Sequence, residues 1–104
     1  MTPDDIRRNI PLAARHLLEV VQIDDGYQAA IGDWLQTADG WGDMAALATE
    51  VTGAGMRAGI WTAPFLAADN SKVAADHPDW IAVHHTGHPA KATLNEAWGG
   101  WARA

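Results

Sequence analysis

Three groups of residues in this sequence have chemistry beyond that of a scaffold. The first is Asp24-Asp25 followed by Gly26, directly after the β-branched run Val20-Val21-Gln22-Ile23. Adjacent carboxylates can accept hydrogen bonds from hydroxyls, ligate a hard cation, or move protons. The simpler reading is an Asp-Asp-Gly turn that caps the following loop. The second is Trp61, which strand alternation places on one face with Gly59 and Ala63. Small neighbours leave room beside the indole, either for the apolar face of a sugar or for core side chains. The third is His84, His85 and His88. Zinc needs three or four converging ligands held by ordered elements. This cluster lies among Gly and Pro with no cysteine and no carboxylate at ligand spacing, so no metal site is expected. His77-Pro78-Asp79-Trp80 reads as a turn with a buried tryptophan. There is no glycine-rich phosphate loop, no Gly-x-Ser-x-Gly elbow and no His-Glu-x-x-His helix, and no cofactor is expected.

The elements that must position these residues follow from local signals. Thr2-Pro3-Asp4-Asp5 has the cap, the first-turn proline and the acids of a helix start. Ile6, Ile10, Ala13, Ala14 and Leu17 then recur at helical spacing, which predicts a helix over 3–17. Pro11 should kink or split it. Residues 20–24 predict a strand ended by Asp25-Gly26, with Val20, Gln22 and Asp24 on one face and Val21 and Ile23 on the other. Met44, Leu47, Ala48 and Val51 form the apolar face of a second helix, capped by Asp43 and closed by Gly53 and Gly55. Residues 58–63 predict a second strand, ended by Pro64, and 70–76 one or two helical turns. From Asp79 onward no clean period remains, and the stretch is expected to be irregular, with a short extended piece at Trp80–Val83. Strands joined through a helix are the grammar of parallel α/β sheets, and carboxylates at the end of a parallel strand sit where such folds place ligands.

Composition narrows the classes. The chain has 104 residues, 13 acidic against 7 basic, for a net charge of −6, with 48% apolar and 19% charged residues. That is one globular domain at most, outside the composition range of disorder. An acidic balance without a basic run argues against nucleic acid and anionic membrane as partners. No apolar stretch approaches the ~18 residues of a membrane span and the opening segment is charged, so a cytoplasmic location is expected. Cysteine is absent and six tryptophans stand against one Phe and one Tyr.

Taken together, Val21-Gln-Ile-Asp-Asp-Gly-Tyr27, Gly32-Asp-Trp34, Ala54-Gly-Met-Arg-Ala-Gly-Ile-Trp-Thr-Ala-Pro-Phe65, Ser71 and His77-Pro-Asp-Trp80 closely resemble the α-galactosidases of glycoside hydrolase family 36 and, more distantly, family 27. The resemblance runs through about residues 20–80, with similar order and spacing. One local departure is Ala38-Asp39-Gly40-Trp41, where the family often has Phe-Pro. The resemblance implies an α/β fold that is part of a TIM (β/α)8 barrel, about two to three βα units, with residues 1–104 an incomplete part of the catalytic barrel domain. It implies a retaining glycosidase cleaving terminal α-galactosides, with Asp24 and Asp25 receiving galactose hydroxyls, Trp61 lining the sugar pocket and Trp34 at its rim. The family's nucleophile, the Asp of a Lys-x-Asp strand, and its acid/base Asp on a later strand have no counterpart here, so no catalytic residue is expected in this chain and the chain alone should be inactive. A full barrel takes ~250 residues. An α-galactosyl transferase of the same family, and a non-catalytic α/β module that binds carbohydrate or a partner, are the alternatives. The expected partner is an α-galactoside, with room left for a homo-oligomer of the complete enzyme.

Overall fold

Thr2 opens the first helix, α1 (Pro3–Arg15), through a reciprocal cap: its hydroxyl accepts from the Asp5 N–H, and the Asp5 carboxylate accepts from the Thr2 N–H at 2.9 Å. The computed structural model describes residues 1–93 and 101–103. Trp98, one of the six tryptophans, lies outside them. Ile6 and Ile10 bury the apolar stripe of α1. The expected break at Pro11 does not occur, and the helix runs through it. Pro11 is exposed, so water can stand in for the N–H that the Arg7 carbonyl lacks.

The helix stops two residues before the expected end. Leu18 donates its N–H to the Ala13 carbonyl and Leu17 to the Ala14 carbonyl, both at 3.1 Å, the paired bonds of a Schellman termination. Leu17 therefore sits at φ 58°, 87% exposed, instead of on the apolar face.

The chain divides into two compact units, residues 1–27 with 37–62, and residues 28–36 with 63–104. In the first, β1 (Val20–Ile23) and β2 (Arg57–Ile60) pair in parallel, Val20 opposite Arg57 and Ile23 opposite Ile60. The crossover is α2 (Met44–Gly53), whose Asp43 cap accepts from the Ala45 N–H at 2.8 Å and the Ala46 N–H at 3.2 Å. Leu47 and Val51, one turn apart, are fully buried, as the spacing predicts. Gly55 takes φ 87° in the turn from α2 towards β2, where a side chain would be strained. Arg7 of α1 holds Glu50 of α2 at 3.0 Å. Both strands are shorter than their sequence patterns: Asp24 already lies beyond β1, and Trp61 lies beyond β2 although its N–H still donates to the Ile23 carbonyl at 2.8 Å.

The second unit contains β3 (Ala67–Ala68), α3 (Lys72–Asp76), a 3-10 turn at Pro78–Trp80, β4 (Lys91–Thr93) and β5 (Trp101–Arg103). The order β3-β5-β4 is antiparallel, with Ala67 opposite Arg103 and Thr93 opposite Trp101. This corrects the expectation of an irregular segment after Asp79. Strands of two or three residues leave no period to read, and β3 and β5 are more than thirty residues apart. Trp80 ends the 3-10 turn where an extended piece was expected, and Val83 bridges Pro89. Among the described residues no helix is long and apolar enough to cross a membrane.

Leu17 supplies a direct test of the helix ending. A non-glycine residue in the left-handed region costs about 1–2 kcal/mol, partly offset by the extra unfolded-state freedom of glycine. Leu17→Gly should stabilise the chain by roughly 0.5–1 kcal/mol, read as a higher denaturant midpoint at unchanged m. A comparable loss would show that the Leu17 side chain makes a contact worth more than the strain.

Candidate functional site

The residues most suited to chemistry in the first unit meet at one end of the parallel pair. Extending the register one step past Ile23 and Ile60 sets Asp24 opposite Trp61. Paired residues of adjacent parallel strands share a face, and Gln22 leans over Gly59 on this one: a Cβ built on Gly59 would meet the Gln22 Cβ and Cγ at 3.4 Å. Asp24 and Trp61 thus follow the carboxyl ends of neighbouring parallel strands, the position where α/β sheets receive ligands. Asp24 is exposed, while Asp25 and Trp61 are half-buried.

Asp24 is tied into its own turn, accepting the Asp25 N–H at 2.8 Å through Oδ1. A carboxylate offers about four lone-pair sites, so this bond leaves acceptor capacity for a ligand. The turn-capping reading and the ligand reading are therefore compatible in one residue.

Tyr27 is the residue that sequence reasoning passed over. It is 1% exposed, and its hydroxyl donates to the Trp61 carbonyl at 3.1 Å. Its ring meets buried Trp41 edge to face, centroids 6.4 Å apart at 77°. Its own carbonyl accepts the Ala38 N–H at 2.8 Å, closing the base of the loop 28–36. The phenol thus links the turn after β1 to the end of β2. Its only sequence signal was its place in Asp-Asp-Gly-Tyr, which says nothing of a partner 34 residues away. Burial, with the Asp25 charge as a second cause, pushes the phenol above its ordinary value.

Trp34 belongs to the second unit. It is half-buried and lines an apolar cavity of about 560 Å³ together with Pro64, Phe65, Leu66, Val73 and Trp80. Trp80 corrects the expectation of a buried turn tryptophan: it is 65% exposed, with the His77 imidazole stacked on it at 3.8 Å and 6°. The 3-10 turn brings residues three apart into line, which fits that stacking. His84, His85 and His88 lie around a tight turn in which the His84 N–H donates to the His88 carbonyl at 2.8 Å. Among the described residues, no three His, Cys, Asp or Glu are placed to hold a metal ion.

An α/β segment with acids and an indole at the carboxyl ends of parallel strands defines the class, and comparison with known proteins identifies the family. The melibiase family model matches residues 13–98, and the chain belongs to that family. Over its whole length it is 38% identical to TtGalA, an α-galactosidase from Thermus thermophilus solved with p-nitrophenyl α-D-galactopyranoside, with a TM-score of 0.91. The chain spans 21% of that protein's length. It is also 27% identical to the galactosidase domain of the α-galactosidase-sucrose kinase AgaSK, TM-score 0.76, covering 99% of this chain and 15% of that one. The family 36 α-galactosidase AgaB from Geobacillus stearothermophilus shares the fold with a TM-score of 0.77 at 20% identity, covering 99% of this chain and 14% of that one.

Because Tyr27 is the single tyrosine, tyrosinate absorbance reports it alone. Its native midpoint should lie above the value of about 10 found when the chain is denatured. A folded value above the unfolded one means that stability is intact below about pH 10 and is lost as pH rises through the folded value. Tyr27→Phe should remove that alkaline loss. Coincident native and denatured titrations would refute the burial of the phenol.

Proposed function

We propose that residues 1–104 form an early part of the (β/α)8 catalytic barrel of a retaining α-galactosidase and hold part of its galactose site. The observation that carries this reading is the placement of Asp24, Asp25 and Trp61 at the carboxyl ends of adjacent parallel strands. It is supported by the likeness of the whole chain to an enzyme solved with an α-galactoside. The same enzyme has also been solved with stachyose. The substrate assigned to this site is therefore a terminal α-galactoside, small or oligomeric.

The two acids act in recognition. A retaining glycosidase needs two carboxyl groups about 5–5.5 Å apart on opposite sides of the scissile bond, one as nucleophile and one as acid/base. Asp24 and Asp25 are consecutive, and one Asp24 oxygen already holds the Asp25 N–H. Such a pair approaches a sugar from one side and suits vicinal hydroxyls, accepting their protons in charge-assisted hydrogen bonds. The Trp61 indole offers a flat apolar surface to the C–H face of the pyranose, which orients the ring and excludes water. Nucleophile and acid/base belong to other strands of the barrel, so binding in this segment serves to place the anomeric carbon before them.

A charged acceptor to a hydroxyl contributes roughly 1.5–3 kcal/mol. In the complete enzyme, Asp24→Ala, Asp25→Ala and Trp61→Ala should each lower kcat/KM by about one to two orders of magnitude. Asp24→Ala should also lower Tm slightly through loss of its turn bond. Purified 1–104 should give no turnover of p-nitrophenyl α-D-galactopyranoside above a blank. Aspartate variants with reduced Tm but wild-type kcat/KM would leave the acids as turn caps only. Turnover by 1–104 would place catalytic carboxylates within it.

A further inference from the structure

The loop 28–36 is held from several directions inside the second unit, and each hold bears on Trp34. Ile31 accepts the Ala68 N–H at 2.8 Å, which joins the loop to the strand end of β3. Gly32, at φ 107°, passes so close to its neighbours that a Cβ there would meet the Val73 Cγ1 at 2.8 Å and the Ala67 Cα at 3.2 Å. Within the loop, the Asp33 N–H donates to the Ala30 carbonyl at 3.0 Å and the Gln36 N–H to the Asp33 carbonyl at 3.1 Å.

The remaining hold comes from a side chain. Both oxygens of the Asp33 carboxylate reach the first turn of α3, 39 and 40 residues further along the chain: Oδ2 accepts the Lys72 N–H at 2.8 Å and Oδ1 the Val73 N–H at 3.0 Å. The Ser71 hydroxyl, buried at the same helix start, takes the Ala74 N–H at 3.2 Å and donates to the Ala68 carbonyl at 2.7 Å. Three consecutive helix-start N–H groups are thereby capped, two of them by a residue outside the helix. Local capping by Ser71 would suffice to start so short a helix. The long-range carboxylate instead fixes where the loop stands on α3.

We infer that Asp33 is a positioning residue for Trp34: by clamping α3 it sets the indole into the wall of the apolar cavity that Trp34 shares with Phe65 and Trp80. The inference rests on the proposed reading of this chain as part of an α-galactoside site, with Trp34 as a substrate-facing wall. We assign Asp33 no sugar contact of its own: each carboxylate oxygen holds a backbone N–H of α3, and its effect passes through the adjacent indole.

The test uses the complete enzyme with Asp33→Ala, Asp33→Asn, Trp34→Ala and the double variant Asp33→Ala/Trp34→Ala. KM and kcat are measured for p-nitrophenyl α-D-galactopyranoside and stachyose, with fluorine NMR of 5-fluorotryptophan protein to read the Trp34 resonance. Asp33→Ala should shift or broaden that resonance and raise KM by about tenfold, with a smaller change in kcat. Asp33→Asn keeps one acceptor and should recover part of both effects. The double variant should be no worse than Trp34→Ala, because the two residues act in series. An unchanged Trp34 resonance in Asp33→Ala, or additive losses in the double variant, would overturn the positioning role. A wild-type KM in Trp34→Ala would instead overturn the reading of Trp34 as a substrate wall, and with it the kinetic part of the inference. Should Asp33→Ala fail to fold, Asp33→Asn decides: a wild-type resonance and wild-type KM overturn the inference, and a partial shift with a raised KM supports it.

Discussion

The hydroxyl of Tyr27 on the carbonyl of Trp61 is the constraint on which the strand ends of the first unit depend. Trp61 follows β2; its N–H bonds the Ile23 carbonyl, and its carbonyl accepts the Tyr27 hydroxyl. Both bonds hold the chain where it leaves the strand. Tyr27 supplies the donor from a fully buried phenol, and its ring is fixed in turn by Trp41. The turn that carries Asp24 and Asp25 is thus joined to the turn after β2 by a rigid side chain. Two acids and an indole can hold a common geometry only if these two turns move together, and this phenol is what couples them.

Behind that constraint lies ordinary packing. Leu47 and Val51 bury the inner side of α2, and the Asp43 cap fixes where the helix begins. The crossover therefore sets the parallel register, and the register sets Asp24 opposite Trp61. A parallel pair with one crossover helix does not by itself cover its edges and faces, and the chain spans about a fifth of the length of the Thermus enzyme it matches.

What could be read from the sequence was what short-range chemistry dictates. Thr2 before two first-turn acids, Asp43 before an apolar period, and a β-branched run ending in Asp-Asp-Gly each act within about one turn, and each forms the expected cap or strand, the strand one residue shorter. Pro11 misled because its exposed position spares the helix the usual consequence. Leu17 misled because its spacing fits a stripe while its backbone belongs to a termination motif. The reach of Asp33 to Lys72 and of Tyr27 to Trp61 could not be read, since both are bonds between residues more than thirty apart with no periodic trace. β4 and β5 escaped notice because three-residue strands carry no period, and Trp80, expected inside, stands exposed on the His77 ring. The candidate site was therefore visible as residue types, and its supports were not.

The most direct measurement is a crystal structure of the complete enzyme with a bound α-galactoside. Oxygens of both Asp24 and Asp25 should lie within about 2.5–3.0 Å of hydroxyls on the terminal galactose, with the Trp61 indole against the ring and the Tyr27 hydroxyl still on the Trp61 carbonyl. A galactose bound elsewhere, with Asp24 engaged only by the Asp25 N–H, would contradict the assignment of these strand ends to sugar recognition.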